Sequence, residues 1–316
     1  MPGSRHSVTL LCAAMLMSAC AGHGSTVLER YDRPIELADV AFYPQVTDQC
    51  GPSALAALLD HAGVHIGPEE LRSRIYIPGR HGSLQVEILA ATRHYGRLPY
   101  LIDGDISALL EELYSGRPIL ILQNLGPRLA PIWHYAVVVG YQPERREFVL
   151  RSGDQERHRL GARAFLRSWQ RADSWALVAL PPGSMPTRVD VSRYLAAAAA
   201  FETVAAPADA AAVYRAAAVR WPGEDIAWLG LGNTSYASGD LPAARTAYRR
   251  ALDAEPTNVP ALNNWSQVHA ELGCREAAMT AIDAALQESE ADSPLYGTLL
   301  ETRDEIDGME PDATCL

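Results

Sequence analysis

The chain has 316 residues, 48% of them hydrophobic and 21% charged, which suffices for two ordinary domains and excludes a globally disordered chain. Its formal net charge of −11 is spread along the sequence instead of being gathered in a run. There is no basic footprint for nucleic acid, so a nucleic-acid role is not expected.

The first elements are a targeting segment and a tether. Arg5 and His6 form a short basic start, and residues 8–17 form an apolar core too short to span a bilayer permanently. Leu16, Met17, Ser18, Ala19 and Cys20 follow and resemble the bacterial lipobox, in which small residues precede a cysteine that is lipidated. The resemblance implies a signal segment over residues 1–20, a lipid on Cys20, and, because Ala21 is not the Asp of inner-membrane retention, a lipid-anchored protein of the outer membrane facing the periplasm. Residues 21–39 are polar without a sustained period and read as a tether.

From about Val40 the pattern alternates between helical and strand periods. A helix is expected over residues 51–62, closed by Gly63, another opened by Pro68, Glu69 and Glu70, and a third after Ser83 that stops at Gly96. Apolar runs at 98–102, 119–123, 135–141, 148–152 and 175–180 read as strands, mostly antiparallel. Helices first and strands afterwards predict an α+β domain over residues 40–180, followed by a Pro-rich linker at 181–190.

Beyond the linker the sequence repeats every 34 residues: Tyr214, Tyr248 and Ile282 fall in step, as do Ala217, Ala251 and Ala285. The middle copy, with Trp228, Leu231, Gly232, Gly239, Ala244, Tyr248, Ala251 and Pro256, resembles the tetratricopeptide repeat. About three helical hairpins plus a capping helix near 295–306 are expected within 191–306, with a tail at 307–316. Of the cysteines outside the signal and lipid positions, Cys274 and Cys315 have the option of a disulfide in an oxidising compartment while Cys50 keeps its thiol.

The chemistry-bearing candidates lie in the first domain. Cys50 stands at the mouth of the first helix, followed by Gly51 and Pro52. The unpaired amides and positive end of the helix dipole favour the reactive thiolate there. His134 opens the run Tyr135, Ala136, Val137, Val138, Val139 and is the candidate base. If Tyr141 and Glu147 pair across the next turn, His134 faces Asp154, whose carboxylate is suited to orient the ring; a two-residue slip puts Ser152 there. Gln45 is the candidate oxyanion donor, with Gln49 the alternative. No metal-ligand spacing and no glycine-rich phosphate loop occur in the sequence, so no metal or cofactor is expected.

These residues together resemble the papain-like bacteriocin leader peptidases, which cut after double-glycine leaders, and more closely their stand-alone lipoprotein relatives with appended tetratricopeptide repeats. The resemblance implies a cysteine peptidase fold and a Cys, His, Asp triad with an oxyanion Gln, carried onto Cys50, His134 and Gln45. The departure is the third residue. Those peptidases close the strand after the histidine with Asp-Pro, whereas this chain has Ser152, Gly153, Asp154. Either Asp154 substitutes from a displaced position or the triad is incomplete. Three functions follow: a thiol peptidase whose repeats recruit a protein or peptide substrate or partner, a catalytically inactive domain in a membrane-tethered interaction scaffold, and transfer or amide hydrolysis on a non-protein substrate by the same triad chemistry.

Overall fold

A computed structural model of the chain describes residues 27–45, 49–310 and 315. The signal segment and Cys20 lie outside the described residues. The chain divides into two compact units, the first reaching Ala179 and taking in Pro186–Arg188, the second formed by the rest.

The first unit carries a seven-stranded sheet with helices. In chain order it contains β1 (Ile35–Glu36), α1 (Cys50–His61), α2 (Pro68–Ile75), α3 (Gln85–His94), β2 (Leu98–Leu101), α4 (Ile106–Tyr114) and β3 (Ile119–Asn124). Then follow β4 (Trp133–Gln142), β5 (Glu147–Ser152), β6 (Gln155–Gly161), α5 (Ala162–Gln170) and β7 (Ala176–Leu180). The strand order is β2-β7-β3-β4-β5-β6, and β1 pairs with β4. β4 is central: it pairs antiparallel with β3 on one side and β5 on the other. Its run of buried residues from Tyr135 to Tyr141 reflects that position.

Three features differ from expectation. β1 pairs Ile35 with Tyr141 and Glu36 with Gly140, so the sheet begins inside the segment read as tether. Helices α4 and α5 intervene among the strands, where only strands were expected. β6 was missed because its sequence, Gln155 to Gly161, is almost wholly polar, as befits the edge strand of the sheet.

Helix α1 is built to be buried. Pro52 sits in its first turn, Gly63 closes it with φ +81°, and every residue from Gly51 to Leu59 is buried. Leu55, Leu58 and Leu59 pack in one cluster with Leu120, Leu122, Tyr135, Val137 and Val139. Each such leucine contributes about 2 kcal/mol by leaving water. The C-terminal end of the unit is held by the buried carboxylate of Glu112, which accepts hydrogen bonds from the Thr187 amide and hydroxyl and from Arg117, each 2.5 Å. Thus part of the segment read as linker is packed structure.

The second unit is all helical: α6 (Val191–Glu202), α7 (Pro207–Arg220), α8 (Asp225–Ala237), α9 (Leu241–Ala254), α10 (Val259–Glu271), α11 (Arg275–Glu288) and α12 (Tyr296–Asp307). The first six form three hairpins and α12 packs on α11, as the 34-residue period predicts. The in-step residues Ala217, Ala251, Ala285 and Ile282 are fully inaccessible to solvent. Asp240 and Asn258 cap α9 and α10 through the amides of Ala243 and Ala261, at 3.0 and 2.9 Å. Gly232 lets α8 approach α9: a Cβ there would stand 2.3 Å from the Tyr248 ring. Cys274 is joined to Cys315 by a disulfide, and Cys50 keeps its thiol.

Candidate active site

Cys50 is the first residue of α1, and Gln49 is the N-cap, without a side-chain capping bond. Cys50 therefore stands in the first turn, whose leading amides the helix leaves without intrahelical acceptors. Cys50 packs at the margin of the apolar cluster under α1. Its neighbour Gly51 touches Ser83 and Tyr135: a Cβ at 51 would lie 2.6 Å from Ser83 Oγ, 2.8 Å from Ser83 Cβ and 3.6 Å from Tyr135 Cδ2. Only glycine fits without displacement. Tyr135 also donates from its hydroxyl to the Ser83 carbonyl at 3.4 Å, so the residues following Cys50 and His134 share one neighbour. Burial, reinforced by the charge at Cys50, pushes the Tyr135 phenol well above its ordinary range and keeps it a neutral donor.

His134 is the second residue of β4, half-buried, and pairs in register with Gln123 of β3. Its Nε2 lies 2.8 Å from Ser152 Oγ at the end of β5. Burial pushes the imidazole below its usual pKa, and nearby His158 on β6 pushes in the same direction. The imidazole is consequently neutral at pH 7.

Ser152, and not Asp154, meets the ring. A β-bulge between Val138 and Gly140 shifts the register of β5, so Tyr141 faces Phe148 and Val138 faces Leu150. β5 then ends at Ser152, and Gly153, with φ +63°, turns the chain into β6. Asp154 falls in that turn as an exposed residue. The expectation that Asp154 faces His134 assumed that the β4–β5 ladder continues past Ser152. Past the bulge the ladder does run in the expected register, Val137 facing Arg151, and it is the end of β5 and the turn at Gly153 that remove Asp154.

Gln45 is a clamp. Its backbone N–H donates to the Gly153 carbonyl at 2.9 Å, its Oε1 accepts from the Gly153 N–H at 3.0 Å, and its Nε2 donates to the Tyr135 carbonyl at 3.3 Å. Arg151, buried in β5, donates from Nε to the Val40 carbonyl at 3.0 Å. Val40 and Gln45 are therefore fastened to β5, to the start of β4 and to the β5–β6 turn that follows Ser152.

Residues 37–176 match the model of the Peptidase_C39 like family. The first unit carries this C39-like match. Residues 207–259 and 235–293 of the second unit match the tetratricopeptide repeat. The chain is similar to the peptidase domain of Streptococcus ComA, a bifunctional ABC transporter of a quorum-sensing pathway, at 22% identity over 45% of this chain and 98% of that one, with a TM-score of 0.37. It is also similar to the Yersinia enterocolitica type III secretion chaperone SycD in complex with a YopD peptide (17% identity, 37% and 92% covered, TM-score 0.35). A third likeness is to the TPR2B domain of yeast Sti1 (13%, 37% and 95%, TM-score 0.35). None of the curated proteins matches the chain.

Within the C39-like domain, sequence reasoning passed over Ser83 and His158. Ser83 Oγ is buried without a hydrogen-bond partner beside the Cys50–Gly51 segment, and nothing in the loop sequence around it signals that place. His158 belongs to a polar strand whose pairing was not read. Among the described residues, no cluster of His, Cys, Asp and Glu has the arrangement of a metal site, and no helix is long and apolar enough to cross a membrane.

Proposed function

We propose that the C39-like domain is a thiol peptidase of the bacterial cell envelope in which Cys50 is the nucleophile and His134 the base. The observation that carries the reading is the contact of Ser152 with Nε2 of His134. With Nε2–H donating to the hydroxyl, the basic nitrogen is Nδ1, the one required to meet the thiol at the start of α1. The sulfur attacks a peptide carbonyl and forms a C–S bond while Nδ1 takes the thiol proton. That proton passes to the leaving amine as the C–N bond breaks, and water then hydrolyses the thioester. The Cys50 amide and the second N–H of the Gln45 amide are the donors for the oxyanion.

The repeats recruit the protein substrate or a protein partner, which raises its concentration at the peptidase. Anchoring through a lipid on Cys20 completes this reading, and the Cys274–Cys315 disulfide supports an oxidising compartment such as the periplasm.

A second reading, a catalytically inactive domain in a membrane-tethered scaffold, is favoured by one observation: the partner of the imidazole is a neutral hydroxyl. The deciding experiment has two parts. A thiol-directed peptidase probe should label the folded wild-type chain and fail on Cys50→Ala and on His134→Ala. Proteomics of envelope fractions should then reveal a new peptide terminus in wild-type cells that is absent from Cys50→Ala cells. Labelling unaffected by His134→Ala, together with identical termini in both strains, selects the scaffold.

A further inference from the structure

The connection between β3 and β4 stands out from the surface of the first unit. Every residue from Pro127 to Trp133 is exposed, and Leu129 is exposed in full. Leu125, Ile132 and Trp133 each keep at least half of their surface in water. Among the described residues of this unit, four of the five large exposed hydrophobic side chains therefore fall within nine positions. Such side chains are ordinary when scattered singly, whereas a cluster marks a surface that a partner covers.

The exposure is built in. Asn124, buried at the end of β3, accepts at Oδ1 from the amides of Gly126 and Ile132, both at 3.0 Å, and the Leu125 amide donates to the Ile132 carbonyl at 2.8 Å. A Cβ at Gly126 would stand 2.3 Å from the Ala130 carbonyl oxygen and 2.9 Å from the Ile132 nitrogen. Pro127 and Pro131 restrict the tip further. The loop is thus closed on itself by its own backbone, and its apolar side chains stay in solvent instead of folding onto the domain.

An independent observation concerns charge. Helix α5 carries Arg163 and Arg167, both exposed, with Arg171 at its C-cap, and a spacing of four places them along one face. Arg171 donates from Nε and Nη2 to the Asn124 carbonyl at 3.2 and 2.8 Å, and Ser168 Oγ accepts from Gln123 Nε2 at 2.7 Å. The arginine stripe therefore runs to the root of the loop, and Arg128 adds a fourth cation at its tip. Residues 125–133 and 162–172 contain no Asp or Glu, on a chain whose formal net charge is −11.

A protein partner needs a cavity that matches a projecting tip, whereas a fluid bilayer accepts one directly. Apolar side chains enter the acyl boundary, tryptophan lies at headgroup level, and guanidiniums meet lipid phosphates. We infer that the β3–β4 loop, together with the arginines of α5, docks the first unit on an anionic phospholipid bilayer. His134 directly follows Trp133, so docking brings that end of β4 to the membrane surface. The exposed turn residue Glu144 lies past the other end of the strand, about 30 Å away. The inference depends neither on the cysteine chemistry nor on a lipid at Cys20.

The test uses the full chain with Cys12→Ser, Cys20→Ser and Cys50→Ala, which leaves no free thiol and no site for a lipid. An environment-sensitive nitrobenzoxadiazole dye is attached to Leu129→Cys or, as the control, to Glu144→Cys. With vesicles of phosphatidylcholine containing about 30 mol% phosphatidylglycerol, emission at position 129 should shift to the blue and rise about threefold, while position 144 stays as in water. Pure phosphatidylcholine or 0.5 M NaCl should remove most of the rise. Because the dye reports its own surroundings, attachment of the chain through residues 8–17 does not register. Arg128→Glu with Arg167→Glu, both exposed positions, should weaken the vesicle affinity read at position 129 by about tenfold or more, with an unchanged circular dichroism spectrum. Should that pair fail to fold, Arg163→Gln with Arg167→Gln should give a smaller loss in the same direction. Unchanged emission at 129, equal shifts at 129 and 144, or undiminished affinity in the folded charge variants overturns the inference. So does a rise at 129 with soluble polyglutamate and none with vesicles, which assigns the loop to a protein partner.

Discussion

Ser152 Oγ stands 2.8 Å from Nε2 of His134, at the place where a papain-like site would hold a side chain that orients the ring. A hydroxyl holds the ring in place, but because it both donates and accepts it does not dictate the tautomer as a carboxylate does, and it contributes no charge to stabilise the imidazolium. Ser152→Ala removes the orienting bond, worth about 1 kcal/mol, and is expected to reduce the rate of thiol-probe labelling several-fold to about tenfold. Asp154→Ala, at the exposed turn, should change it less than twofold. A loss at 154 as large as that at 152 would restore the aspartate to the site.

His134 should titrate below its ordinary value, because burial and His158 both disfavour its cation. The unfolded chain binds a proton at this histidine near pH 6.5, whereas the folded chain resists it. Unfolded molecules therefore carry more protons in the window below about 6.5, and stability declines as pH falls through it. Urea midpoints at pH 7.5 and 5.5 should show this decline, and His134→Gln should make it shallower. In Ser152→Asp the carboxylate favours the cation, and the ring's NMR titration midpoint should move upward.

Gly51→Ala is expected to destabilise the first unit by about 1–3 kcal/mol, the usual cost of an overpacked site, since the new methyl meets Ser83 Oγ at 2.6 Å and Cβ at 2.8 Å. Ser83→Gly removes both atoms. The double variant should recover most of the loss in chemical denaturation, and additive losses would show that the two positions do not meet.

Reducing the Cys274–Cys315 bond opens a link between residues 41 apart in sequence. Chain entropy assigns about 4 kcal/mol to a loop of that length. Dithiothreitol should lower the melting of the second unit, and the Cys315→Ser chain should melt at the same temperature with or without reductant.

The repeats were readable because their signal is written many times over: Tyr214, Tyr248 and Ile282, and the alanines in step with them, are buried at equivalent places, and a period survives local irregularity. The buried strands were readable for a related reason, since Ile119–Asn124 and Ala176–Leu180 are buried throughout and apolar almost throughout. The third member of the site was not. Its identity depends on where β5 ends and on the turn at Gly153, and the end of a ladder changes which side chain reaches the ring without altering the hydrophobic pattern. Ser83 was illegible because it is brought to Gly51 only by the folding of the loop between α2 and α3.

Tyr31 is already fastened to the first unit, its hydroxyl donating to the Ser107 carbonyl at 3.5 Å and its ring 5.2 Å from that of Tyr114. Eleven residue steps separate it from Cys20, and a fully extended backbone covers at most about 3.6 Å per step, or about 40 Å in all. Lipid attachment at Cys20, as proposed, would therefore put the domain on a short leash. Its hunting ground would be the thin aqueous layer next to the bilayer, and proteins whose susceptible bonds lie farther out would be beyond its reach.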